Sequence, residues 1–378
     1  MERIKIYMNT PSWNVGTNTD IRLQREMVCL EKDLENVSLY FPKSWILSLP
    51  YNIDKVCGFI KRKVLGTVTL DTKDGWVLRR KALYNEPEIW FASCDVIYAQ
   101  GILPTNLHGK PILLDLFYMR PEDVNPTFSE KAQVNFDILS KHIKELARTK
   151  GIFNLRSDYA IRMVEELCPD NAWKFRNLPF LRPNIKAAST DEIIEKHTND
   201  DTTRFLFCGA QANRKGLPVV IESFIKAKEA HECKSELHIV SALSDGNVGI
   251  PQRDDIIFHG GLPFDETQEL FRKCHAYIMP SREESFGLTY TEAMANGLVT
   301  IARNYEPQRE ILDYGKCGIL TNIDTQSVTR SIENVLLLTR EERIDFALKA
   351  RDRFIKKYSY GAALKEWQKA IEDCFAQQ

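Results

Sequence analysis

The chain of 378 residues, 43% of them hydrophobic, is longer than one hydrophobic core usually organises, so two domains of about 150 to 200 residues are expected. Lys plus Arg number 51 against 52 Asp plus Glu, and a net charge of -1 excludes the broad cationic surface of a nucleic-acid binder. The nine cysteines are scattered without a Cys-x-x-Cys pair, which excludes a disulfide framework and reads as reduced thiols in a cytoplasmic protein.

The N-terminal MERIKIYMNTPSW has a short apolar alternation in place of the apolar core of a secretory signal, and no apolar run reaches the ~20 residues that cross a bilayer. The expectation is a soluble protein, or one attached at the cytoplasmic face of a membrane. Apolar runs at 4–8, 95–99, 111–116 and 151–155 read as buried strands, most of them followed by segments of helical period. Residues 55–80 are the least legible stretch. Their basic clusters, Lys61-Arg62-Lys63 and Arg79-Arg80-Lys81, read as a solvated helix face, with contact to anionic lipid or an anionic acceptor as the alternative.

The polar stretch 184–204 reads as a connection between cores, which places the domains at 1–185 and 186–358. A second strand series follows at 204–208, 236–240, 256–258, 275–279 and 298–302, so the fold class is α/β with two doubly wound domains. His231, Cys233 and His238 lack a matched fourth ligand, and no metal site is expected there. Residues 359–378 read as a last helix with Ala363, Leu364, Trp367, Ile371 and Phe375 along one face.

Two strand-to-helix junctions carry chemistry. At the first, Gly209 ends a strand, and Arg214, Lys215 and Gly216 precede a helix; two cations there can neutralise a diphosphate, and Gly216 lets the backbone approach it. At the second, 275–280 reads as a strand, 281–287 as a loop and 288–296 as a helix that stops at Gly297. A helix start gathers free N–H groups at the positive end of its dipole, a place for a phosphate. Glu284 and Glu292 stand eight positions apart around it. Carboxylates beside an anion are best used on neutral hydroxyls, as of a sugar or ribose; the alternative is acidic residues that only complement the helix dipole.

In this order the residues resemble the retaining family 4 glycosyltransferases of the GT-B fold, with their Glu-x7-Glu motif. The resemblance runs over roughly 170 residues, far more specific than one motif. It takes in Gly209 and Lys215-Gly216, FHGGL at 258–262, the helical DETQELFRKCHA, Pro280-Ser281, Glu284, Phe286-Gly287, Glu292-Ala293, Gly297 and GKCGIL at 315–320. It implies two Rossmann-like domains facing a cleft, with the C-terminal helix crossing back to the N-terminal domain. It also implies transfer of a hexosyl group from a UDP- or GDP-linked sugar to a hydroxyl acceptor with retention of configuration. The acceptor would be a glycan, a lipid-linked molecule or a small molecule. Glu284 would contact the donor sugar and Glu292 the ribose. Backbone amides of Ser285, Phe286, Gly287 and Leu288 would meet phosphate and sugar, Arg214 and Lys215 would hold the diphosphate, and the base would be read near Leu262. The nucleotide sugar is a co-substrate, and neither a cofactor nor a metal is implied.

The chain departs from the family in two places. Ala210 stands where relatives often carry Arg after the first glycine, with Arg214 as the substitute. Phe117 stands where many have a His, leaving Asp115 or His108 as candidates on the acceptor side, while Gly16 in the turn after the first strand is a candidate glycine loop. A glycoside hydrolase would leave the Arg-Lys-Gly unexplained, and a dehydrogenase would need Gly-x-Gly-x-x-Gly after an early strand. The remaining alternatives are a non-catalytic sugar-nucleotide binding protein and a GT-B sugar-nucleotide epimerase.

Overall fold

The computed structural model describes residues 3–9, 28–40, 94–100, 103, 107–116, 140–199, 201–231, 233–244, 246, 248–282, 284 and 286–378. The chain divides into two units, Met1–Leu181 with Ala363–Gln378, and Arg182–Ala362. These divisions fall beside the expected breaks at 185/186 and 358/359. The segment 55–80 with its basic clusters lies outside the described residues.

The first unit holds a parallel sheet of β1 (Ile4–Asn9), β2 (Val37–Tyr40), β3 (Val96–Gln100), β4 (Ile112–Asp115), β5 (Gly151–Asn154) and β6 (Phe175–Arg176), in the order β2-β1-β3-β4-β5-β6. Its central strands ILLD and GIFN are buried at every position, as expected where a parallel sheet is covered on both faces. β2 and β6 were not foreseen. VSLY has only alternate positions buried, and β6 has two residues, so neither presents an apolar run. Helix α1 (Asp158–Leu167) follows β5, with the Ser157 hydroxyl accepting from the Ala160 amide at its start.

The second unit holds β7 (Thr203–Cys208), β8 (Ser235–Val240), β9 (Ile256–Gly260), β10 (Ala276–Met279), β11 (Val299–Arg303) and β12 (Ile319–Thr321), in the order β12-β11-β10-β7-β8-β9, all parallel. Both sheets are doubly wound, as the two strand series predicted. Phe205, Phe207, Leu237, Ile239, Tyr277, Ile278 and Ile301 have no exposure and form the centre of this core.

The stretch read as a polar connection contains α2 (Thr190–Thr198). A capping box starts it, the Ser189 hydroxyl accepting from the Glu192 amide and the Glu192 carboxylate from the Ser189 amide. The Ser-x-x-Glu spacing was the signal for this helix, and its polar composition hid it. Two further helices complete the flanks of interest: α3 (Leu217–Ala230) after β7 and α4 (Phe264–Lys273) before β10. α5 (Leu288–Ala295) follows β10 and stops before Gly297 as expected. Lys196 and His197 of α2 bond the carbonyls of Asn296 and Gly297 at 2.5 and 3.0 Å, and the Ala188 amide bonds that of Ala295 at 2.8 Å. The C-terminal end of α5 is thus capped by α2 and the segment before it.

The last helix, α6 (Tyr360–Phe375), packs in the first unit from Ala363 onward. The Trp367 indole donates to the Pro179 carbonyl at 2.8 Å, and Arg176 pairs with Asp373 at 3.0 Å. Its buried face is Ala363, Trp367, Ala370, Ile371 and Cys374, while Phe375 is exposed. That face is rotated slightly from the one expected, with Ala370 and Cys374 buried in place of Leu364 and Phe375.

Candidate functional site

In the second sheet the chain winds outward from β7 to β9, then crosses to β10 on the other side of β7. The strand order reverses between β7 and β10, and the carboxyl ends of the strands at such a point are the usual ligand position in doubly wound sheets. The two junctions singled out by the sequence are the loops after these two strands.

They meet directly. The Arg282 amide donates to the Arg214 carbonyl at 2.9 Å. Gly216, at φ +86°, lies against Pro280, where a Cβ would meet the proline carbonyl oxygen at 2.8 Å. Only glycine meets both demands, so this glycine lets the loops touch. Gly287, also at φ +86°, turns the second loop into α5; a Cβ there would fall 2.4 Å from the Tyr290 ring.

Within this frame the Lys215 ammonium donates to the Glu284 carboxylate. Burial holds the Lys215 amine below its usual range, with Glu284 pulling the other way. Tyr277 and Tyr290 are buried beside these loops: the Tyr290 hydroxyl donates to the Met279 carbonyl at 2.5 Å, and that of Tyr277 reaches Thr289 Oγ1 at 2.7 Å. Burial pushes both phenols well above their ordinary range, so they stay protonated. Phe286 meets Tyr358 edge-on at 5.9 Å between ring centres, fixing the loop just before α5.

Arg214 shares the loop of Lys215, with its Nε donating to Gln211 at 2.6 Å at the surface. Glu292 is placed differently from Glu284. It is buried inside α5, where Arg182 reaches one carboxylate oxygen at 2.7 Å and Gln268 the other at 3.0 Å. The Cys208 thiol at the end of β7 is pushed up to about 12, by burial first, while Glu292 raises it and Lys215 lowers it. Both charged sites therefore border the end of β7. Leu262 lies half-buried after β9, whose Gly260 carbonyl accepts from the Ser241 amide at 2.8 Å. Gly209 closes β7, its amide bonded to the Val240 carbonyl.

On the first unit, Asp115 ends β4 with no exposure, held by Arg156 through both carboxylate oxygens, one contact at 3.1 Å. The Arg156 guanidinium lies over the Phe180 ring at 3.7 Å. Burial raises the Asp115 carboxyl and Arg156 opposes it. A carboxylate so enclosed suits a core anchor. His108 lies in the turn before β4, at φ +47°. Gly16, Phe117 and Ser285 lie outside the described residues.

Sequence reasoning missed Arg182, Gln268, Tyr277 and Tyr290. Arg182 and Gln268 are 110 and 24 positions from Glu292, and no local spacing could have joined them to it.

Residues 189–357 match the sequence model of the family described as glycosyl transferases group 1. The chain is 26% identical over 181 residues to the O-antigen chain mannosyltransferase RfbU of Salmonella typhimurium, covering 46% of this chain and 48% of that one. The chain spans about half the length of the curated relatives it matches. Among solved structures it is similar to a glycosyltransferase from Rickettsia africae, with a TM-score of 0.63 at 12% identity over 100% of both chains. It is similar also to HepE of Anabaena in complex with UDP and glucose, with a TM-score of 0.57 at 12% identity, over 98% of this chain and 100% of that one. At these identities the likeness is one of fold, and the fold is GT-B.

Proposed function

We propose that this chain is a glycosyltransferase that moves a sugar from a nucleoside diphosphate donor to a hydroxyl acceptor, with retention of configuration. The observation that carries the reading is the Lys215–Glu284 pair joining the loops after β7 and β10, just before the start of α5. Glycosyl transfer from a diphosphate sugar needs positive charge where the leaving group gains negative charge, and acceptors for the hydroxyls of the sugar. Lys215, Arg214 and the N-terminus of α5 offer the first; Glu284 offers the second.

When a donor enters, its distal phosphate replaces Glu284 as the partner of Lys215. The phosphate then serves as the countercharge of an ammonium that burial has disfavoured. Glu284, released, accepts from sugar hydroxyls and lies near the carbon that becomes cationic. Glu292 accepts from the ribose. The reading draws further support from the family matched by residues 189–357 and from the relative named a mannosyltransferase, which favours a hexosyl donor and a glycan acceptor.

The test is incubation of the purified protein with UDP- and GDP-linked hexoses, with and without glycan acceptors, following release of free nucleoside diphosphate. Release that disappears in Glu284→Ala supports the reading. Absence of both binding and turnover across the panel overturns it.

A further inference from the structure

We infer that Arg182 and Gln268 are positioning residues that set Glu292 as a two-oxygen acceptor for the paired hydroxyls of a ribose. The inference rests on the donor-site reading above and adds the side chains that make Glu292 fit for that task.

The Glu292 carboxylate is 8% exposed and the Arg182 side chain 7%, so the pair is almost wholly removed from water. A carboxylate there demands a countercharge and occupied lone pairs. Arg182 meets one oxygen at 2.7 Å, entering from the segment between β6 and α2; Gln268 meets the other at 3.0 Å from α4. The Asn296 amide holds the Glu292 backbone carbonyl at 2.9 Å. The side chain is therefore fixed from two other segments of the second unit.

An ionised carboxylate has about four acceptor positions on its two oxygens. One donor on each leaves acceptor capacity on both oxygens, as two adjacent hydroxyl groups require. A phosphate does not match, because its charge would oppose that of Glu292. A guanidinium is suited to the support role because it keeps its proton at any ordinary pH and holds a planar fork. Neither Arg182 nor Gln268 needs to touch the ligand.

The test is titration calorimetry with UDP, GDP and ADP, followed by the 2′,3′-dideoxy form of the nucleotide that binds. Arg182→Met is expected to weaken the ribonucleotide by about 10-fold or more, the usual effect of losing a hydrogen bond to a charged group. The dideoxy form should stay within about twofold, and Arg182→Lys should recover part of the loss.

Equal weakening of both nucleotides, or weakening of neither, overturns the inference. Should Arg182→Met fail to fold, the neutral change Gln268→Leu gives the same reading: selective loss for the ribonucleotide supports it, and unchanged selectivity sinks it. A wild type that binds no nucleotide removes the donor-site reading itself, and because it is measured first the two failures are distinguishable.

Discussion

The Lys215 ammonium and the Glu284 carboxylate, 69 positions apart in sequence, form an ion pair that ties the loop after β7 to the loop after β10. With side chains only 13% and 8% exposed, each is the other's countercharge. Losing one member of such a pair costs about 3–5 kcal/mol, because the survivor is left charged and buried, whereas replacing both with neutral groups of like shape is far milder. In urea unfolding, Lys215→Met should be less stable than the double variant Lys215→Met/Glu284→Gln. Nucleoside diphosphate release should fall by about 100- to 1000-fold in Glu284→Gln, the scale of losing one preorganised stabilising group. A double variant no better than the single one would refute the pairing, and full activity in Glu284→Gln would refute the role in transfer.

The histidines His197 and His275 stack edge to face at 5.4 Å inside the second unit. Burial lowers His197 to about 3 and His275 to about 4, and the neighbouring charges of Lys196 and Arg343 push both the same way. Their folded values lie below the unfolded value of about 6.5. The neutral rings therefore stabilise the fold fully above that value, and the stability is lost as pH falls from about 6.5 toward 3, by up to about 1.4 kcal/mol per pH unit for each ring. Urea midpoints measured from pH 7.5 to 4 should decline over that window, and His275→Gln should flatten the decline. A midpoint constant down to pH 4 would show that the two rings are not buried neutral.

The legible parts of this protein were those in which chemistry is local in sequence. The strands β4, β7 and β10 announce themselves as unbroken apolar runs, and the two junctions carrying Lys215 and Glu284 are short enough for their glycines and charges to be seen together. That those junctions touch depends on the crossing from β9 to β10, which no residue spacing records. Glu292 was legible as a carboxylate near a helix start. Its burial against Arg182 and Gln268 was not, since both partners come from other segments. β6 was hidden because two residues show no period, and α2 because a helix with Ile193 and His197 as its buried residues looks polar.

Asp115 gives a prediction of the opposite kind. Its carboxylate is enclosed by Arg156, whose Nη1 also donates to the Leu178 carbonyl at 3.0 Å, and the Asn154 side chain accepts from the Leu178 amide at 2.9 Å. Asp115→Ala removes one partner of a buried ion pair and should destabilise the first unit by about 3–5 kcal/mol. Once activity is normalised to the folded fraction, turnover should match the wild type within about threefold, on the scale that separates a core anchor from a catalytic base, whose loss costs 100-fold or more. A folded Asp115→Asn with activity down by that larger factor would return Asp115 to the reaction.

Trp367 tests how far the first unit depends on the end of the chain. The indole is 1% exposed, packs 6.3 Å from the Tyr98 ring and donates to the Pro179 carbonyl. Further along, the Gln377 side chain accepts from the Gly151 amide at 2.9 Å, and Gln378 donates to the Asp95 carbonyl at 3.1 Å, so α6 and the residues after it reach β5 and the start of β3. Trp367→Ala leaves a large void and an unpaired carbonyl, which together should lower stability by about 3–5 kcal/mol. The loss belongs to the first unit. Hydrogen exchange should therefore speed up at Ile97, Leu113 and Phe153 and leave Phe205 and Ile278 of the second sheet unchanged. Trp367→Phe, which keeps most of the volume but lacks the N–H, should fall between the two. Equal acceleration in both sheets would mean that the units unfold together, and no acceleration in either would mean that the last helix is dispensable to the core.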